Sequence, residues 1–428
     1  MRQFFALPRR NRELGLLLIV TATGVLALAL VHLSQSPDLT VANLSLVLTV
    51  LAMFAGLHLI VRTVAPDADP VLLPLAAFLT VTGITMIYRL DPDLVLTQWI
   101  WVLVGGACLG AVLVAFRSYG QLAQYKYLSA LAGMALLLSP LLPGIGAEIN
   151  GARLWLRFGT FSFQPAEIAK VLIVIFLAAY LAEKRELLAT STRRVLGVWL
   201  PEARHFGPLL LMWGVSLLIL VGEKDLGSSL LFFGVFLMML YVATDRTAYV
   251  MAGSALFLGG ASLAYLRFSH VQTRIDIWLD PWKDSADKGY QIVQSLFAIA
   301  SGGVIGRGLG LGSPGKIPAV ETDFIFSAIA EEMGLVGALA IVLAYLLLTL
   351  RGLRIASACN DEFGKLLALG LTAVVGLQTF VIIGGVTKLI PLTGITLPFI
   401  SYGGSSIISN FILLGLLLRV SHLTRRQS

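Results

Sequence analysis

Five carboxylates, Asp276, Asp280, Asp284, Asp287 and Glu321, stand with Arg274, Lys283 and Lys288 in one polar stretch between about His270 and Glu321. Such groups can take a proton from a hydroxyl or neutralise an anionic leaving group. Charges in a solvated loop also serve solubility alone, and that plainer account is open for any one of them. Asp284 has the stronger chemical claim because of its surroundings. Trp278, Trp282 and Tyr290 suit a membrane–water interface, so they would hold this segment at the bilayer surface, where a lipid-linked substrate presents its head group. A partly desolvated carboxylate at that depth could act as general base towards a sugar hydroxyl. On the residues alone, several neighbouring carboxylates remain tenable.

Other polar groups recur at the ends of apolar runs. In Gln164-Pro-Ala-Glu-Ile-Ala-Lys170, Pro165 suits a first helical turn, and Glu167 and Lys170 share a helix face. They read either as an ion pair securing a helix end or as the lining of a polar cavity. Arg153 and Arg157, in Asn150-Gly-Ala-Arg-Leu-Trp-Leu-Arg157, carry guanidinium forks suited to phosphate oxygens. Asp225 follows Glu223 and Lys224, while Asp323 and the pair Glu331 and Glu332 open a later apolar run. A bare charge at the depth of Glu332 costs about 2.5–3.5 kcal/mol on insertion scales, which implies a partner or a cavity. Ser401-Tyr-Gly-Gly-Ser-Ser406 interrupts the last run, where small residues either let helices approach or line a substrate path. Gly310 to Lys316 fits G-x-x-x-x-G-K, but Ile317 stands where a magnesium-binding Ser or Thr is needed and no strand precedes it. That rules out an ATP site; the glycines instead permit irregular backbone packed against helices.

The elements that must carry these groups are membrane helices. Of 428 residues 57% are apolar and only 13% charged, against about 25% charged in soluble proteins. Apolar runs of spanning length fall near 13–34, 41–62, 71–88, 97–116, 126–143, 164–183, 207–222, 226–243, 247–267, 322–350, 365–387 and 396–419. The reading is an all-α polytopic membrane protein, a bundle of about 12 transmembrane helices with a large external loop near 269–321. With the N-terminus inside, the inner segments hold 19 Lys and Arg and the outer ones 11, so both termini are expected in the cytoplasm and the long loop outside. The net charge of +7 comes from basic residues scattered at helix ends, which excludes a nucleic-acid partner and leaves membrane lipids. Two cysteines, Cys108 and Cys359, give no disulfide framework or metal cluster. No cleavage site of small residues follows the first run, which reads as a retained span.

Together these stretches resemble the SEDS family, whose members include RodA, FtsW and SpoVE. The matching segments are Gly151-Ala-Arg-Leu-Trp-Leu156, Gln164 to Lys170, Asp225-Leu-Gly-Ser228, Asp280-Pro-Trp-Lys-Asp284 with Gly289-Tyr-Gln-Ile-Val-Gln-Ser295, Thr322-Asp-Phe-Ile-Phe326 with Glu331-Glu-Met-Gly334, and Leu397-Pro-Phe-Ile-Ser-Tyr-Gly-Gly-Ser405. Ala166 stands where the family usually has Ser, and Met333 where it usually has Leu. The family core has ten spans. The resemblance therefore implies a SEDS domain over 71–428 preceded by a tail and two additional helices over 1–70.

The resemblance further implies a peptidoglycan glycosyltransferase of the bacterial cytoplasmic membrane, polymerising lipid II beside a class B penicillin-binding protein that cross-links the product. The family's essential loop aspartate falls on Asp284. It would take the proton from the 4-hydroxyl of the acceptor sugar as that oxygen attacks the donor's anomeric carbon. Undecaprenyl pyrophosphate leaves with inversion. Arg153, Arg157, Lys170 and Lys283 are the candidates for stabilising it, and a divalent cation is the one cofactor considered for the same task. Glu167, Asp225, Gln294, Asp323, Glu331, Glu332 and Ser401 would shape the cavity. The alternative is a lipid II flippase, which would use intramembrane charges as a transport path and need no base in the loop.

Overall fold

A computed structural model describes residues 8–35, 41–149, 152–159, 161–189, 193–195, 198–200, 203–223 and 225–427. Asn150, Gly151 and Lys224 lie outside them. In chain order the helices are α1 (Arg9–Gln35), α2 (Val41–Val64), α3 (Leu72–Leu90), α4 (Pro92–Ala115), α5 (Gly120–Gln124), α6 (Lys126–Leu138), α7 (Pro165–Ala189), α8 (Ala203–Gly222), α9 (Leu226–Thr244), α10 (Thr247–Arg267), α11 (Ser269–Leu279), α12 (Tyr290–Gly302), α13 (Ile325–Ala358), α14 (Glu362–Val386) and α15 (Gly404–Gln427). Each of the twelve apolar runs falls on one of them. Among the described residues, nine are long and apolar enough to cross a membrane, and two shorter apolar helices cover 48–64 and 126–141. The protein is a multi-pass, essentially all-α membrane protein.

Four features depart from the sequence reading. Strands β1 (Gly146–Ile149), β2 (Ala152–Phe158) and β3 (Phe161–Phe163) form a small antiparallel sheet, ordered β1-β2-β3. A further hairpin pairs β4 (Arg193–Val195) with β5 (Val198–Leu200). The last span begins at Gly404 rather than near 396, because residues 391–403 form irregular backbone and turns. Lastly, α13 is broken at Gly334, whose φ of 65° and ψ of −165° are not helical; at a positive φ a side chain would be strained.

The chain divides into two compact units. The first comprises Met1–Ser118, Ile277–Gly352 and Gln378–Ser428; the second comprises Tyr119–Asp276 and Leu353–Leu377. In the first, α15 packs along α4, and close approach is achieved by small residues. A Cβ on Gly404 would lie 2.4 Å from the Trp101 ring, and one on Gly83 would lie 2.5 Å from the Ile400 carbonyl oxygen. In the second, α7 is buried along most of its length against α6 and α9. By contrast α10 buries only Tyr249, so its apolar surface faces outward.

Candidate functional site

Asp284 ends a short 3-10 turn, Pro281–Asp284, that begins with an Asp-Pro pair. Asp280 caps it, its Oδ1 accepting from the Trp282 N–H at 3.1 Å, and Pro281 fills the first position, where a missing N–H costs nothing. Asp91 and Pro92 start α4 in the same way, with Asp91 accepting from the Asp93 N–H at 3.0 Å. Asp280 is thus occupied as a cap. The Asp284 carbonyl accepts from the Gly289 N–H at 2.8 Å, and this closure requires glycine, since a Cβ there would lie 2.2 Å from the Pro281 carbonyl oxygen. The Asp284 and Lys283 side chains remain exposed.

Fastenings on both sides make this turn a rigid mount. The Trp278 indole donates to the Lys388 carbonyl at 3.2 Å, and the Trp282 ring packs edge-on against Phe297 with centroids 5.6 Å apart. These two aromatics are therefore held by protein, whatever they also offer a membrane surface. In α12 the Ser295 hydroxyl bonds Ser327 Oγ at 2.7 Å and the Val386 carbonyl at 2.9 Å. Gln291 donates to the Pro318 carbonyl at 3.2 Å. Gln294 sits half-buried on the same helix, and Asp323 half-buried just before α13.

The glycine-rich segment beyond α12 is pinned to the break in α13. Leu335 and Val336 N–H groups donate to the Gly303 and Val304 carbonyls at 2.9 and 3.1 Å, while Arg307 and Gly308 N–H groups donate to the Glu331 and Glu332 carbonyls at 3.0 and 2.9 Å. Gly303, Gly306, Gly308 and Gly310 all have positive φ, which is why this backbone needs glycine. The two carboxylates join in. Glu332 accepts from the Gly310 N–H at 2.8 Å and from Arg89 Nε at 3.0 Å, and Glu331 accepts from the Ser313 N–H at 3.0 Å. Arg89 also donates to the Gly312 carbonyl at 3.0 Å. Glu331 and Glu332 are thus bound up in fixing the loop.

Ser401 is likewise engaged in backbone contacts. Its hydroxyl accepts from the Leu397 N–H at 2.9 Å and donates to the Thr322 carbonyl at 2.5 Å, and Gln98 donates to its carbonyl at 3.3 Å. The Tyr402 N–H donates to the Glu321 carbonyl at 2.9 Å, so the interruption before α15 braces the segment leading into α13. Burial, with Asp91 and Glu321 nearby, raises the Tyr402 phenol pKa.

In the second unit Glu167 and Lys170 form the i,i+3 ion pair in the first turns of α7, and both are buried. Arg153 and Arg157 both lie on β2, on either side of a register shift at which Leu154 is the extra residue. Both are exposed, and Arg153 reaches Glu148 across the sheet at 3.6 Å. Asp225 caps α9, its Oδ1 accepting from the Ser228 N–H at 2.9 Å. Its Oδ2, and Oε1 of Glu223, are buried with no hydrogen-bond partner among the described residues. Burial raises the Asp225 pKa against the pull of the Ser228 N–H and Arg274. Glu223 is pushed up to about 8 by burial and then by Asp225. Among the described residues no three His, Cys, Asp or Glu side chains group as a metal site.

Arg89, which fixes Glu332, is not among the candidate residues that the sequence singles out. Glu223 figured only as a neighbour of Asp225. A basic residue at the end of one apolar run and an acidic one inside another was the available signal for the first pair, but the sequence did not say which would meet.

The structure is that of a polytopic helical membrane protein with an exposed carboxylate on a fixed turn and buried carboxylates near the ends of its spans. Residues 71–426 match the model of the FtsW/RodA/SpoVE family, described as "Cell cycle protein", and the chain belongs to that family. It is 45% identical over 430 residues to the peptidoglycan glycosyltransferase RodA of Mycobacterium tuberculosis, covering 98% of this chain and 92% of the relative. To the probable peptidoglycan glycosyltransferase FtsW of Geobacter metallireducens it is 36% identical, covering 82% of this chain and 94% of the relative. A chain from a structure described as a peptidoglycan synthase complex coordinating polymerization and crosslinking superimposes with a TM-score of 0.68 at 29% identity, covering 84% of this chain and 99% of that one. The crystal structure of Thermus thermophilus RodA gives a TM-score of 0.60 at 29% identity, covering 84% and 98%.

Proposed function

We infer that this chain is a peptidoglycan glycosyltransferase, and that it polymerises lipid II into glycan strands at the outer face of the bacterial cytoplasmic membrane. The observation that carries the activity is the 45% identity to a peptidoglycan glycosyltransferase over 98% of the chain. Asp284 is the proposed general base. Its rigid turn, capped by Asp280 and closed by Gly289, suits a group that must meet a hydroxyl in a fixed geometry. An exposed side chain also agrees with a base that becomes desolvated only when substrate arrives.

The reaction proposed here transfers the proton of the acceptor 4-hydroxyl to the Asp284 carboxylate. The oxygen forms a bond to the anomeric carbon of the donor, and the bond to undecaprenyl pyrophosphate breaks with inversion. Arg153, Arg157, Lys170 and Lys283 are the candidate partners for the departing charge. Of these, Arg153 and Arg157 are both exposed on β2, as a group that meets a phosphate must be. A divalent cation remains a proposal for the same role. The distribution of Lys and Arg supports cytoplasmic termini and an outward-facing loop. A class B penicillin-binding protein is the proposed transpeptidase partner, and the identity of 45% to a RodA relative against 36% to an FtsW relative supports a RodA-type member of the family.

Purified protein, combined with its transpeptidase partner and supplied with lipid II in detergent, tests the reading. Wild type is expected to form glycan polymer and Asp284→Ala to lose it, by about 100-fold or more. Polymer from the variant at the wild-type rate would remove Asp284 from its role. No polymer from wild type would favour transport instead.

A further inference from the structure

The family match begins at residue 71, leaving α1 and α2 without an assigned part in the reaction. Both ends of α1 are tied down. At its start, Arg10 donates to Glu13 at 2.6 Å and to the Ala68 carbonyl, and Glu13 is 2.7 Å from His58 of α2. All three side chains are buried. Their ion pairing fixes the first turn of α1 against α2 and the approach to α3.

At the other end, buried His32 places Nδ1 2.9 Å from the Tyr88 hydroxyl, one residue before the arginine that holds Glu332 and Gly312. Ser34 lies against Gly310, so closely that a Cβ on Gly310 would come within 1.8 Å of its hydroxyl oxygen. Between these ends α1 does not fill the space beside the loop. A cavity of about 100 Å³ is bordered by Val20, Thr23 and Ala27 of α1, Thr85 of α3, Leu309 and Met333. Contact between α1 and the glycine-rich segment is therefore concentrated in the last turn of the helix.

We propose that α1 is a strut whose last turn, through His32 and Ser34, holds the glycine-rich segment 303–316 and so sets the rate of the reaction at Asp284. The path is continuous in the first unit. Ser34 bears on Gly310, whose N–H is held by Glu332; the segment begins at Gly303, directly after α12, and α12 follows the turn carrying Asp284. His32 and Ser34 are positioning residues and touch no reacting atom. This rests on the glycosyltransferase reading of the same chain.

The test is a cycle of Gly310→Ala, Ser34→Gly and the double variant, with His32→Phe, in the full chain with its transpeptidase partner. Gly310→Ala is expected to lower kcat on lipid II about tenfold or more, with KM changed less than about twofold, and amide exchange in 303–316 is expected to rise. Ser34→Gly alone should raise exchange in 303–316 and lower kcat, though less than Gly310→Ala does, because the hold is loosened without the loop being displaced; since it also removes the group that the new Cβ meets, the double variant should recover to the level of Ser34→Gly. Backbone strain alone at Gly310, with φ of 80°, would not be relieved by a change on α1. His32→Phe should raise exchange in 303–316 and lower kcat less. Failure of Ser34→Gly to rescue, or unchanged exchange in both single-site variants of the loop contact, overturns the strut. A wild-type protein that makes no polymer would instead overturn the reaction assigned to the chain, while the exchange data still decide whether α1 holds the loop.

Discussion

Glu331 and Glu332 in the first unit and Glu223 and Asp225 in the second are all shut away from solvent, but their oxygens end differently. The first pair accepts from the Gly310 and Ser313 N–H groups and from Arg89. In the second, Ser228 serves one oxygen of Asp225, while Asp225 Oδ2 and Glu223 Oε1 have no partner among the described residues. Desolvating a carboxylate is costly unless it is paired and hydrogen-bonded. The first unit offsets that cost internally, and in doing so fixes a loop. The second leaves it open, which in native proteins points to a functional reason or an occupant. Two carboxylate pairs of similar burial thus divide into one whose oxygens hold a loop and one whose oxygens the described residues leave partly unpaired.

The sharpest way to break this contrast is to remove the cation from the satisfied pair. Arg89→Ala leaves Glu332 buried with only an N–H donor, and stripping one partner from a buried pair costs about 3–5 kcal/mol. Arg89→Lys keeps the charge but not the two-point hold on Glu332 and Gly312, so its loss should be smaller. Thermal unfolding of the purified variants measures both. Glu332→Gln in the Arg89→Ala background should recover part of the loss, because a neutral amide needs no cation. If Arg89→Ala unfolds within about 1 kcal/mol of wild type, the pair does not hold the loop.

How far these arrangements could be read beforehand depends on the range of the interaction. The helices that carry the twelve apolar runs follow from those runs, a local signal that the bilayer enforces. Asp284 was singled out by its aromatic neighbours and by resemblance, although those aromatics turn out to be held by Lys388 and Phe297. The glycines of 303–316 announced irregular backbone. What they could not announce was its partner, the break at Gly334, because that pairing joins groups some thirty residues apart. Arg89 and Glu332 are separated by 243 positions, and nothing local links them. The β1-β2-β3 sheet escaped because its strands are short and lie in a connection between spans.

The open pair can be tested through pH. Glu223 is held up to about 8 in the folded protein, against an ordinary value of 4.5. Between those values the folded state keeps a proton that the unfolded state has released. Stability conferred by this group must therefore fall as pH rises through the window, by at most about 1.4 kcal/mol per pH unit. Glu223→Gln, which cannot ionise, should flatten the pH dependence of Tm between about 4.5 and 8 and raise Tm at the upper end. An unaltered profile in the variant would mean that the Glu223 carboxyl is compensated in the protein.

The smallest effect on stability is expected at Asp225. Asn caps a helix about as well as Asp, so Asp225→Asn can still accept from the Ser228 N–H, and removing a partly unpartnered buried charge costs little. Unfolding should move by less than about 1 kcal/mol, in either direction. Activity is where the variant separates the two accounts of the open pair. A carboxylate kept for substrate should, when neutralised, lower polymerisation of lipid II about tenfold or more while the fold is unchanged. Arg89→Ala should show the opposite order, with a loss of stability that accounts for its loss of activity. If Asp225→Asn is both as stable and as active as wild type, the orphan oxygen has no ligand to serve, and the distinction between a structural and an available carboxylate pair collapses at this position.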